Sequence, residues 1–227
     1  METLNNIVLT IQNYMSNYVL IIALLGAGLW FSFRLGFIQV RGFGEGMRRT
    51  FGGLFSKKGE AGADGMSSFQ ALATAIAAQV GTGNIAGAAT ALAIGGPGAI
   101  FWMWIAAFLG MATIYAEAIM AQKYKTVGVD GQVTGGPVYY IRAAFKGTFG
   151  KVLAGIFAIL ITLALGFMGN AVQSNSIAAS FHTAFGIPQW IMGLVVAVIA
   201  IFVFMGGMKR IAKVTETIVP FMAALYI

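Results

Sequence analysis

Four amide side chains, Gln79, Asn84, Asn170 and Gln173, and one carboxylate, Glu117, stand out because each falls inside a stretch that is otherwise apolar. Amides and carboxylates buried this way hold ligands or neighbouring helices through hydrogen bonds. Covalent chemistry has little to start from: the chain has no cysteine, and no nucleophile sits in pattern with a base. Around Gln79 the chain reads AAQVGTGNIAG, with Gly81 and Gly83 flanking Thr82. Small residues dominate this stretch, the composition of a helix packed inside protein, and the two glycines predict a break in it. A broken helix offers free N–H groups at the start of its second half, which suit an anion such as a carboxylate. It offers free carbonyls at the end of its first half, which suit a bare monovalent cation. The segment from Gly81 to Ala86 also fits the G-x-G-x-x-A pattern of dinucleotide-binding folds, but that fingerprint requires a preceding strand and a soluble sheet, which the flanking sequence does not supply.

The elements that must position these groups are membrane helices. Hydrophobic residues make up 59% of the chain and charged residues 9%, and the mean hydropathy is +0.84, which excludes a soluble domain. The expectation is an all-α polytopic membrane protein forming a single transmembrane domain. Spans are expected at about Tyr14 to Phe33, across the broken stretch from Ser67 to Ile94, and at about Ala99 to Gln122, Val152 to Phe181 and Trp190 to Gly206. A sixth begins near Thr217 and is cut short at Ile227. Ser67 to Val80 and Asn84 to Ile94 would be half-helices of about 21 and 16 Å, which puts the break near the midplane of a core about 30 Å thick. Interfacial segments are expected where Phe43, Phe51 and Phe55 accompany Arg41, Arg48, Arg49, Lys57 and Lys58, and between Thr126 and Lys151. All 14 Lys and Arg fall in the loops after the first, third and fifth spans. The positive-inside rule makes that side the cytoplasm and places the N-terminus outside. The net charge of +7 therefore faces lipid headgroups and not nucleic acid.

The run GTGNIAGAATALAIGGPGAIFWMW (Gly81 to Trp104) resembles the alanine or glycine:cation symporter family. The similarity continues through GQVTGGPVYYI (Gly131 to Ile141) and LGFMGNAVQSNSIA (Leu165 to Ala178). The resemblance implies a leucine-transporter-like fold of two inverted five-helix repeats, each with its first helix broken at the binding site, and import of a small amino acid coupled to Na⁺ or H⁺. Members of that family are about twice this length. The chain is thus expected to be the N-terminal part of a longer protein, with an extra leading helix (about 14–33), a first repeat (about 66–227) and the remaining C-terminal half still to be supplied.

By that resemblance, the break should meet the substrate. The amides of Thr82 and Gly83 would face its carboxylate, Gln79 would donate its side-chain amide, and Gly81 and Gly83 would act as the hinge. The carbonyls of Ala77 and Val80 and the side-chain oxygen of Asn84 are the candidate Na⁺ ligands, since a hard cation takes oxygens. Asn170, Gln173, Ser174 and Ile177 share one helical face. In the related fold that span lines the pocket, which makes Asn170 and Gln173 candidate substrate contacts. The alternative is that Gln79, Asn84 and this polar stripe only bind helices to one another. Glu117 is either a structural partner for a basic residue such as Lys123 or a gate or coupling residue. Trp102 and Trp104 fit an aromatic belt, and His182 fits a surface loop.

The leading expectation is therefore a cation-coupled symporter in the cell membrane for alanine or glycine, without cofactor and without enzymatic activity. Its partners would be the amino acid, Na⁺ and lipid. The alternative is a non-transporting membrane subunit or scaffold made from a half-transporter.

Overall fold

Leu4, Ile7, Val8 and Ile11 recur at i, i+3, i+4 and i+7, and the N-terminal sequence accordingly folds as α1 (Glu2–Tyr14). The computed structural model describes residues 2–55, 67–128 and 133–226. A π-helical stretch, Met15–Leu20, carries α1 without interruption into α2 (Ile21–Arg34). Together Thr3–Arg34 form a helix of 32 residues, long and apolar enough to cross a membrane. The helix thus starts well before Tyr14, because the polar residues of ETLNNIVLT interleave with an apolar stripe and do not end it. Left-handed Gly36 and Phe37 turn the chain into α3 (Ile38–Arg41) and α4 (Phe43–Phe55). Helix α4 covers part of the expected interfacial segment, whose Lys57 and Lys58 lie outside the described residues.

Helix α5 (Ser68–Gln79) opens with a capping box, in which Ser67 Oγ accepts from Gln70 N and Gln70 Oε1 accepts from Ser67 N. Helical geometry is lost at Val80 and resumes as a π-helical stretch, Gly83–Gly87, followed by α6 (Ala88–Gly95). Gly96 closes α6: its N–H donates to Leu92 O at 2.9 Å with φ +64°, a left-handed conformation that glycine reaches without a Cβ penalty. Helix α7 (Gly98–Lys123) is the next span candidate, at 26 residues. A two-stranded antiparallel pair comes next, β1 (Thr126–Val127) with β2 (Val133–Thr134). Gly131 and Gln132 of the GQVTGG motif fall outside the described residues. Helix α8 (Pro137–Ala144) starts with proline at its first turn.

The chain continues as α9 (Gly147–Ile161), a π-helical stretch Thr162–Gly169, and α10 (Asn170–Phe185). These form one 39-residue helix about 58 Å long. Helices α11 (Gln189–Phe204) and α12 (Gly207–Tyr226) meet at a 120° bend. Lys209, Arg210 and Lys213, expected in a loop, lie instead on α12, which starts ten residues before Thr217. Left-handed Gly207 makes the corner. Arg210 then reaches back, its guanidinium donating to Phe202 O at 3.1 Å and lying 4.7 Å from the Phe202 ring centroid. Helix formers and cation–π stabilisation let the basic cluster stay helical.

Two units make up the chain, one of Met1–Glu45 with Ala91–Lys123 and the other of Gly46–Thr90 with Tyr124–Ile227. In the first, α2 packs on α7 so closely that a Cβ at Gly28 would sit 2.8 Å from Leu109 Cβ and 3.1 Å from its carbonyl. Ser32, fully buried, donates to Gly28 O at 2.7 Å and accepts from Gln39 Nε2 at 2.8 Å. Ala112 and Ala116 complete this small-residue seam. The second unit packs α5 on α12, α8 on α9 and α10 on α11. Its buried residues, Ala73, Ala154, Ala178, Ala212 and Val219 among them, are again mostly small. Close backbone approach of this kind is how helices associate where lipid removes the hydrophobic incentive.

Candidate binding site at a broken helix

The last regular bond of α5 runs from Val80 N to Ile76 O at 2.9 Å. Val80 then turns extended, with φ −96° and ψ 115°, and the next N–H groups find partners elsewhere. Gly81 N–H donates to Asn84 Oδ1 at 3.0 Å, and Asn84 N–H donates back to Gly81 O at 3.0 Å. Thr82 N–H donates to Gln173 Oε1 at 3.0 Å, across a sequence separation of 91. Three carbonyls lose their helical donors by these turns. Ala77 would have accepted from Gly81, Ala78 from Thr82 and Val80 from Asn84, and all three N–H groups are directed elsewhere. A short oxygen-rich end of one helix therefore adjoins an N–H-rich start of the next.

Neither Gly81 nor Gly83 is left-handed, so the break does not depend on glycine's backbone freedom. At Gly81 the requirement is space. A Cβ there would overlap Gln173 Nε2 and lie 3.1 Å from its Cδ. At Gly83 a Cβ would meet nothing within 4 Å.

The sequence candidates distribute unevenly around this point. Thr82, Gly83, Asn84 and Gln173 converge on the break. Gln79 is on the last turn of α5, with an exposed side chain. Asn170 lies one turn before Gln173, and its side chain donates to Gly166 O at 3.1 Å, serving a carbonyl of the π-helical stretch and not the break. Glu117 is half-buried on α7, which belongs to the other unit. Trp102 and Trp104 are exposed, and His182 sits at the end of α10, its Nδ1 3.1 Å from Ile187 O.

One polar cluster escaped the sequence reading. Gln70 Nε2 donates to Glu216 Oε2 at 2.8 Å, and one turn further Thr74 Oγ1 lies 3.1 Å from Thr215 Oγ1. These bonds tie the beginning of α5 to α12. The i, i+4 spacing of Gln70 and Thr74 was a usable signal, as was the Ser67-x-x-Gln70 capping pattern. Glu216 was hidden because the basic run before it read as a loop.

A profile of the sodium:alanine symporter family matches residues 1–227. The chain belongs to the sodium:alanine symporter family. Among members of this family it is 44% identical over 224 residues to the sodium/alanine symporter AgcS of Methanococcus maripaludis, covering 98% of this chain and 49% of that protein. It is 48% identical over 204 residues to the putative sodium/proton-dependent alanine carrier protein YrbD of Bacillus subtilis, covering 90% and 40%. It is 42% identical over 226 residues to the probable sodium/glutamine symporter GlnT of Bacillus subtilis, covering 100% and 46%. The chain thus spans about half the length, or less, of the curated relatives it matches. The family is one of transporters, and the long apolar helices described above fit its place in a membrane.

Proposed function

We propose that this chain is the N-terminal part of a secondary active symporter of leucine-transporter-like inverted-repeat fold, which imports a small neutral amino acid, alanine or glycine, together with Na⁺. The observation that carries the reading is the exchange of hydrogen-bond partners between Ala77 and Asn84, which leaves carbonyls and N–H groups unpaired by the helix within a few residues of each other. Main chain in this state survives at membrane depth only where protein covers it or where it lines a cavity, and a cavity here would suit a solute.

The substrate carboxylate binds the amides of Thr82 and Gly83, where N–H groups and the start of the Gly83–Gly95 helix favour negative charge. Gln79 donates its side-chain amide to it, while Gln173 meets the site through Thr82 N–H and Asn170 stays on Gly166 O. Na⁺ takes the carbonyls of Ala77 and Val80, and Asn84 Oδ1 keeps a second lone pair for it beside the bond to Gly81. A cation and a carboxylate a few ångströms apart in low dielectric stabilise one another, so each raises the affinity for the other by the same factor. The C-terminal half supplies the facing helices, and the two repeats rock about the site. The basic segments face the cytoplasm and the N-terminus the outside.

Uptake of labelled alanine by the full-length transporter in proteoliposomes tests this. An inward Na⁺ gradient should drive accumulation, and excess glycine should compete. Because one relative is named for glutamine, glutamine is included as a competitor. Uptake that ignores both Na⁺ and H⁺ gradients ends the symport reading, and glutamine competing better than alanine or glycine ends the small-substrate reading.

A further inference from the structure

The bond between Thr82 N–H and Gln173 Oε1 occupies the very donor that the substrate carboxylate needs. Gln173 is half-buried on α10, and its carboxamide lies against the backbone at Gly81, where no side chain intervenes. A carboxamide has the planar three-atom head of a carboxylate and presents the same kind of acceptor oxygen, without the charge. We propose that Gln173 is an internal stand-in for the substrate: it caps the break while the site is empty and is displaced from Thr82 N–H when a carboxylate arrives.

Two physical requirements meet in this arrangement. An empty break at membrane depth would leave the Thr82 N–H without a partner, which is costly, so the unloaded transporter needs a cap. The cap must also yield. A bond to a charged acceptor is about twice as strong as one to a neutral acceptor, so a carboxylate displaces a carboxamide, whereas a Glu or Asp cap would compete on equal terms. Gly81 fits the same role, since any larger residue would push the carboxamide off the amide. Gln173 also ties the break to α10, so loading the site cuts one link between those elements and leaves α10 freer to shift. Gln173 is on this account a positioning residue for the empty state and not a fixed substrate contact. The role rests on the reading of the break as the amino-acid site.

The test uses the full-length transporter with Na⁺ present, labelled alanine as the probe, and Gln173→Met, which keeps the length of the side chain and removes the acceptor. The stand-in role expects Gln173→Met to bind alanine about 2- to 12-fold more tightly than wild type, the net worth of one displaced hydrogen bond. It also expects the alanine-free variant to melt below wild type and alanine to raise its midpoint by more than it does in wild type, a pattern that mere loss of packing does not produce. Equal or weaker alanine binding by a folded Gln173→Met protein overturns the proposal in favour of a fixed contact. A structure of the wild-type transporter with alanine bound decides independently of any variant. Gln173 Oε1 withdrawn from Thr82 N supports the role, and Oε1 still within hydrogen-bond distance overturns it. Wild-type protein that binds no amino acid overturns the site reading itself, and this role with it.

Discussion

Gly81→Ala adds one methyl group where the Gln173 carboxamide lies against the backbone. On the observed backbone that methyl would overlap Gln173 Nε2 and stand 3.1 Å from Cδ and 3.2 Å from Oε1. The overlapping atom is the end of a flexible side chain, so the carboxamide moves and the backbone does not. The cost is then the bond from Thr82 N–H. Its net worth is about 0.5–1.5 kcal/mol, and a donor left buried without a partner raises this to about 1–3 kcal/mol. Replacing glycine where φ is ordinary returns about 0.4–1 kcal/mol by restricting the unfolded chain. The expected net destabilisation is about 0.5–2 kcal/mol. In a Gln173→Ala background the methyl meets no carboxamide, and the same substitution becomes neutral or stabilising by up to about 1 kcal/mol. The double-mutant cycle should therefore show a coupling of about 1–2 kcal/mol, read from denaturant or thermal unfolding of the detergent-solubilised transporter. Equal costs in both backgrounds would refute the idea that Gly81 is small to admit Gln173.

Other contacts yield three further expected outcomes. Gly83→Ala, whose Cβ meets nothing within 4 Å, should alter stability by less than about 0.5 kcal/mol yet cut labelled alanine uptake at least about 10-fold by standing where the carboxylate binds, a 1.4 kcal/mol effect or more. Gln70→Ala removes the side-chain half of the α5 capping box and the donor to Glu216, leaving the residue-70 N–H on Ser67 Oγ, and should cost about 1–3 kcal/mol in unfolding measurements; Glu216→Gln, which keeps an acceptor oxygen, should cost under about 1 kcal/mol. Gly28→Ala forces α2 from α7, because the atoms facing the new methyl include the Leu109 main chain, and unfolding should report a loss of about 1–3 kcal/mol.

The break was legible because part of what holds it is local: a small-residue stretch around Thr82, and an Asn three residues beyond Gly81 that catches its N–H; the other part, Gln173 on Thr82 N–H, is 91 residues away. Asn84 and Gln173 were legible as polar groups in apolar surroundings. That Gln173 reaches Thr82 and Asn170 does not was beyond the pattern, since both lie on one helical face and only the π-helical stretch before Asn170 gives its amide a nearer acceptor at Gly166. The course of α12 is hidden in the sequence for a related reason. Lys209, Arg210 and Lys213 signal a polar boundary in hydropathy, but their flexible stems are good helix formers, and Arg210 gains Phe202 by folding back at the bend. Hydropathy sets the start of the first helix late because it weighs average polarity, whereas Leu4, Ile7, Val8 and Ile11 act through their spacing.

The wide stretch Thr162–Gly169 lies just upstream of Asn170 in the helix that carries Gln173. Such a stretch holds surplus residues within the helix without altering the phase of the turns beyond it. One residue lost there would tighten the winding to the ordinary spacing and leave Gln173 facing Thr82. One residue lost between Asn170 and Gln173 has no slack to absorb it and would swing the carboxamide by about 100° around the axis. Tolerance to deletion should therefore change abruptly at Asn170, and the aim of this side chain depends on how many residues precede it as well as on which they are.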